Sequence, residues 1–103
     1  YYRKNTVANQ FGNKIKELRE ANGLLQRQVA SQLEIDTPML SKIERGERKA
    51  KKEQVEQFAK LYKADNKELF TLWLADQVYD VIEGEAQADE ALKNVTNKLK
   101  KEK

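Results

Sequence analysis

Between residues 36 and 52 the chain carries six cations, Lys42, Arg45, Arg48, Lys49, Lys51 and Lys52, against three carboxylates. The next stretch, residues 53–83, reverses the balance with three cations against seven acids. Guanidinium and ammonium groups bind phosphate by charge and by N–H donation, so this distribution predicts one surface turned toward a polyanion. A solvated charged surface explains most such runs taken alone, and the run acquires meaning only from the elements that carry it. Other chemistry lacks its parts. With no cysteine and no histidine, there is no thiol nucleophile, no disulfide, no iron–sulfur cluster and no imidazole base, and structural zinc runs out of ligands. Glu34, Asp36 and Glu44 have neither a nucleophile nor a metal ligand beside them. The expectation is no enzymatic activity, no cofactor and no metal.

The elements that position the cations read as helices. Phe11, Ile15 and Leu18 form an apolar stripe at helical spacing that ends at Asn22-Gly23, where Gly23 suits a left-handed helix end. A second helix runs through Leu25, Val29, Ala30 and Leu33. The residue before a proline avoids the helical region, so Thr37 is expected as the N-cap and Pro38 as the first helical residue of a third. That helix passes through Leu40, Ile43 and Glu44 and stops at Gly46. Val55, Phe58, Ala59 and Leu61 mark a fourth, and Asp65 with Glu68 has the spacing of a capping box that opens a fifth. No segment alternates with period two long enough for a strand. The second and third helices, joined by a short turn, make a helix-turn-helix with the basic run on and after its second member.

The residues at this turn resemble a known family. The stretch Gly23-Leu24-Leu25-Gln26-Arg27-Gln28-Val29-Ala30, then Leu33, Ile35 and Leu40-Ser41-Lys42-Ile43-Glu44-Arg45-Gly46, is similar to the phage-repressor helix-turn-helix family. That family is also called the xenobiotic-response-element or Cro type, and the likeness spans roughly residues 11–75. It implies an all-α, five-helix repressor-type domain that binds double-stranded DNA. Gln26, at the start of the second helix, is then a phosphate contact. The third helix is the recognition helix, with Thr37, Pro38, Ser41, Lys42 and Arg45 outward and Leu40 and Ile43 inward. Lys42 can donate to guanine, and Ser41 can meet base or phosphate. Arg48, Lys49 and Lys51 fall where the family approaches the DNA backbone. Arg19 and Glu44 match a family pair that ties the first helix to the third, a structural ion pair. Two positions depart from the pattern. Glu34 stands where many members have glycine, which costs about 1–2 kcal/mol if the residue is left-handed. Pro38 has no N–H to offer a base, so contact with a thymine methyl is the most it supplies. Thr37 serves either the helix cap or a base.

At 103 residues, with Leu, Ile, Val and Phe about 23% of the chain, one small core is within reach. Three parts are expected: an N-terminal extension over 1–10, the helix-turn-helix domain over 11–83, and a C-terminal helical tail over 84–103. No run of 18 apolar residues and no signal-like amino end appear, so the expectation is no membrane partner and a cytoplasmic location. Tyr62, Trp73 and Tyr79 read as packing groups. From Leu69 to Ile82 apolar residues occupy more than one stripe, so Leu69, Trp73, Val78 and Ile82 are expected at a homodimer interface. The tail stripe, Ala88, Ala91, Leu92, Val95 and Leu99, either folds back on the fifth helix or pairs with a second subunit. The expected function is a sequence-specific transcriptional regulator, repressor-like, acting as a homodimer on a short palindromic operator. Small members of the resemblance class include controllers of restriction–modification genes, which the helical tail fits, phage switch repressors and antitoxins. The rival is a helix-turn-helix interaction module that binds a partner protein.

Overall fold

The computed structural model describes residues 8–102. Residues 1–7 of the expected extension, and Lys103, lie outside the described residues. The fold is all-α. Its helices are α1 (Gln10–Ala21), α2 (Gln26–Gln32), α3 (Thr37–Arg45), α4 (Lys52–Tyr62), α5 (Asn66–Ile82) and α6 (Ala88–Lys101). Ala8 and Asn9, within the expected extension, are buried, and Gln10 opens α1.

Local chemistry sets most of the boundaries. At the end of α1 the N–H groups of Gly23 and Leu24 donate to the carbonyls of Glu20 and Arg19, with Gly23 at φ 67°. This pairing closes the helix through a left-handed residue. Gly46 ends α3 in the same manner at φ 79°, with Glu47 N–H donating to the Lys42 carbonyl at 2.9 Å. The N-cap of α3 differs from expectation. Asp36, extended at φ −84° and ψ 160°, accepts from Met39 N–H at 2.8 Å, and Thr37 is the first helical residue. A carboxylate there also gains from the helix dipole, which a hydroxyl does not. At α5, Asp65 caps by accepting from Lys67 N–H at 2.9 Å. Glu68 is not its capping-box partner; it lies 3.8 Å from Lys14 of α1.

Apolar side chains on one face of each of the first five helices meet in one core. Ile15, Val29, Leu40, Val55, Phe58 and Leu69 are fully buried. Each such side chain contributes roughly 1.5–3 kcal/mol on leaving water. Phe58 sits between Phe11 and Tyr62, with ring centroids 6.0 Å from each. The first half of α5 closes this core with Leu69, while Phe70, Leu72 and Trp73 pack against its edge. The α6 helix follows the turn at Gly84 and buries none of its residues.

Candidate nucleic-acid interface

The turn between α2 and α3 fixes how the third helix is presented. Leu33 is buried, and the N–H groups of Glu34 and Ile35 donate to the carbonyls of Ser31 and Ala30 at 3.2 and 3.0 Å. This geometry needs a left-handed residue just past the helix end. Glu34 occupies it at φ 57°. The chain then re-enters a helix under the Asp36 cap. Leu40 and Ile43 turn into the core, whereas Pro38 and Lys42 are exposed and Thr37, Ser41 and Arg45 partly so.

A polar network locks α3 against the rest of the domain. Glu44 is 3% exposed. Its carboxylate accepts from Arg19 Nε at 2.8 Å, Arg19 Nη2 at 3.1 Å and Gln26 Nε2 at 3.0 Å. Arg19 Nη1 also donates to the Leu24 carbonyl at 3.0 Å. The hydrogen bonds to Glu44 hold the guanidinium charge above its ordinary pKa, against the opposing effect of burial. Burial raises the Tyr62 hydroxyl pKa, and the Glu44 charge adds to the rise. On the other side, Asn9 Nδ2 donates to the Glu44 carbonyl at 2.9 Å. Gly12 lets α1 approach this point, because a Cβ there would lie 2.5 Å from the Glu44 carbonyl oxygen.

The outward cations differ in how free they are. The Arg45 guanidinium donates to Glu47 Oε2 at 2.5 Å and to Ser41 Oγ. That contact holds the Glu47 carboxyl below the usual carboxylate range. Lys42 projects from α3 one turn from its start, and Arg48, Lys49 and Lys51 are exposed in and after the loop that follows. The loop is fastened beneath by α5. Trp73 Nε1 donates to the Ala50 carbonyl at 2.8 Å, and Lys49 Nζ reaches Gln77 Oε1 at 3.4 Å. Ala50 is buried, so the basic side chains stand on a packed backbone.

The structure therefore gathers Ser41, Lys42 and Arg45 on α3 and Arg48, Lys49 and Lys51 immediately after it. Gln26 sits at the start of α2 with its amide nitrogen turned onto Glu44. One other placement departs from expectation. Leu69 is fully buried inside its own chain and can take no part in a subunit surface. Trp73 is partly buried by Phe70, at 5.9 Å between ring centroids, and by the loop at Ala50. Val78 is exposed and Ile82 partly so. Four residues carry roles that the sequence does not announce. Glu47 is an anion inside the basic run. Asn9 and Gly12 form the seat of α3, for which a glycine in the first turn of an amphipathic helix was the available signal. Asp76 of α5 accepts from the Gln10 and Phe11 N–H groups at 3.0 and 2.9 Å, capping α1 from 65 or more residues away.

Among the described residues no helix is long and apolar enough to cross a membrane. A family model described as a helix-turn-helix domain matches residues 10–72. Neither the curated proteins nor the solved structures give a match.

Proposed function

The chain belongs to the helix-turn-helix domain family, and on that premise we propose that it is a sequence-specific regulator of transcription. In this reading it binds double-stranded DNA as a homodimer, at a short operator with two-fold symmetry. The observation that carries the reading is Lys42, exposed on α3 opposite the buried Leu40 and Ile43, with Arg48, Lys49 and Lys51 exposed just beyond it. A helix seated by its inner face and carrying a cation one turn from its start can place that cation at base edges in the major groove. Cations on the following loop meet phosphate, which grips without reading. Ser41 and Thr37 are small polar neighbours for the same groove, and Pro38 offers an apolar contact. Gln26, at the start of α2, lies on the approach to the backbone with its amide nitrogen held by Glu44. The all-helical tail suits a controller-type regulator.

A protein-interaction module is the second reading. An interface that grips a protein partner is commonly built on aromatic anchors, and the outward side of α3 carries none. Selection from random duplex DNA tests the choice. The expected product is an inverted repeat whose half-sites lie about 10–10.5 base pairs apart, centre to centre. Failure to enrich any motif, together with tight binding to a co-encoded protein, supports the interaction module instead.

A further inference from the structure

The last two helices carry apolar side chains that the chain itself does not cover. On α5, Leu74, Val78 and Val81 recur at helical spacing and stay exposed, Val81 at 75%. On α6, Leu92, Val95 and Leu99 do the same. Ala88 extends that series, giving alternate steps of four, three and four residues. Such steps form a seam that faces another helix. Both stripes are exposed, so α6 does not fold back to cover α5. The α6 helix is also polarised in charge, with Asp89 and Glu90 in its first turn and Lys98, Lys100 and Lys101 in its last. These charges favour the isolated helix through its macrodipole. They also impose a direction on any copy of the same helix laid alongside.

We propose that α6 pairs antiparallel with α6 of a second copy of this chain, across a two-fold axis close to Val95. The inference rests on the homodimer reading and names its subunit contact. In this arrangement Leu92 of one copy lies level with Leu99 of the other, and Val95 lies near itself across the axis. About that axis Glu90 of each copy lies level with Lys101 of the other, and the acidic first turn runs alongside a last turn whose lysines, Lys98, Lys100 and Lys101, outnumber its one acid, Glu102, so both ends of the pair are attractive on balance. A parallel pair sets acids beside acids and lysines beside lysines, which opposes association. The α6 helix is about 21 Å long at 1.5 Å per residue, short for a coiled coil standing alone. The α5 stripe, just before the Gly84 turn, extends the apolar surface that the same second copy can cover. The contact is isologous, as a two-fold dimer requires.

The chain has no cysteine, so single-cysteine variants of the full chain report the pairing directly. Val95→Cys keeps the size and apolar character of the seam and is expected to form a disulfide-linked dimer under mild oxidation. Leu92→Cys and Leu99→Cys are each expected to stay uncrosslinked alone and to crosslink when mixed. A disulfide needs Cα atoms about 4.4–6.8 Å apart, whereas seven residues of helix span about 10 Å. Circular dichroism confirms that each variant is folded, and sedimentation follows the unmodified chain in parallel. Crosslinking of Leu92→Cys and of Leu99→Cys each with itself means a parallel pair and overturns the proposal. A sedimenting dimer in which none of the variants crosslinks overturns it too, while leaving the homodimer reading intact. A chain that is monomeric both free and on DNA removes both.

Discussion

Replacing either partner of the Arg19–Glu44 pair is expected to cost more than replacing both. Glu44 is 3% exposed and holds Arg19 through two hydrogen bonds of 2.8 and 3.1 Å. The Arg19 side chain is itself only 11% exposed. Arg19→Met leaves a buried carboxylate with the Gln26 amide as its remaining side-chain partner, and Glu44→Leu leaves a shielded guanidinium with the Leu24 carbonyl. Stranding one charge of a buried pair costs about 3–5 kcal/mol, whereas replacing both with apolar groups of similar volume is often close to neutral. The double variant is therefore expected within about 2 kcal/mol of the parent, so singles at about 3 kcal/mol or more each leave a coupling energy of at least about 4 kcal/mol. A domain of this size has only about 5–15 kcal/mol of stability in all, so each single variant should unfold at visibly lower urea concentration. Urea titrations followed by circular dichroism, read through the midpoint with the slope held to that of the parent, give all four corners of the cycle. Single variants that each cost less than about 1 kcal/mol, or a coupling near zero, would refute the claim that this pair seats α3.

Other perturbations reach different parts of the structure. Glu47→Gln should remove the carboxylate that draws Arg45 back, tighten binding to every DNA sequence alike and steepen the salt dependence by about one unit per added phosphate contact, as fluorescence anisotropy across a salt series would record. The same contact has a pH signature: Arg45 holds the Glu47 carboxyl below its ordinary range, so the pairing persists above that range and is lost as pH falls through the lowered value, where parent and variant should converge. Glu34→Gly relieves a left-handed glutamate at φ 57°; the gain of about 1–2 kcal/mol, less about 0.5–1 kcal/mol of glycine backbone entropy, should raise the thermal midpoint. Gly12→Ala places a Cβ 2.4 Å from Asn9 Oδ1 and 2.5 Å from the Glu44 carbonyl oxygen. It should destabilise the domain by about 1–3 kcal/mol or more in the same urea assay.

The helices and the turn were legible because their signals are local. Gly23 and Gly46 close helices by adopting positive φ, and apolar residues at steps of three and four mark the buried faces. The cap of α3 lies one residue before the expected Thr37, for a local reason as well. Proline disfavours a helical residue before it, yet the Asp36 carboxylate outweighs that preference and carries Thr37 into the first turn. What escaped was non-local. Nothing near Asp76 in sequence announces that it caps α1. The surplus of apolar residues on α5 was plain, but which of them the core covers depends on how α5 crosses α1 and α4. The core takes Leu69 and partly Trp73, and leaves Leu74, Val78 and Val81 outside. The pairing of Glu47 was not legible, because the charge balance of the basic run gives no sign that Arg45 folds back onto an acid.

The most direct test of base reading by α3 compares Lys42→Ala with Lys49→Ala on the selected duplex and on random duplex across a salt series. Lys42 projects from α3 on the side away from Leu40 and Ile43, while Lys49 stands in the loop beyond Gly46. Lys42→Ala is expected to weaken the selected duplex by about 1–3 kcal/mol, relax preference at one base pair per half-site and leave random DNA nearly unchanged. Lys49→Ala is expected to weaken both duplexes alike and to flatten the salt dependence by about one unit per subunit. Equal weakening of both duplexes by Lys42→Ala would mean that Lys42 meets phosphate, and that α3 does not read base edges from this position.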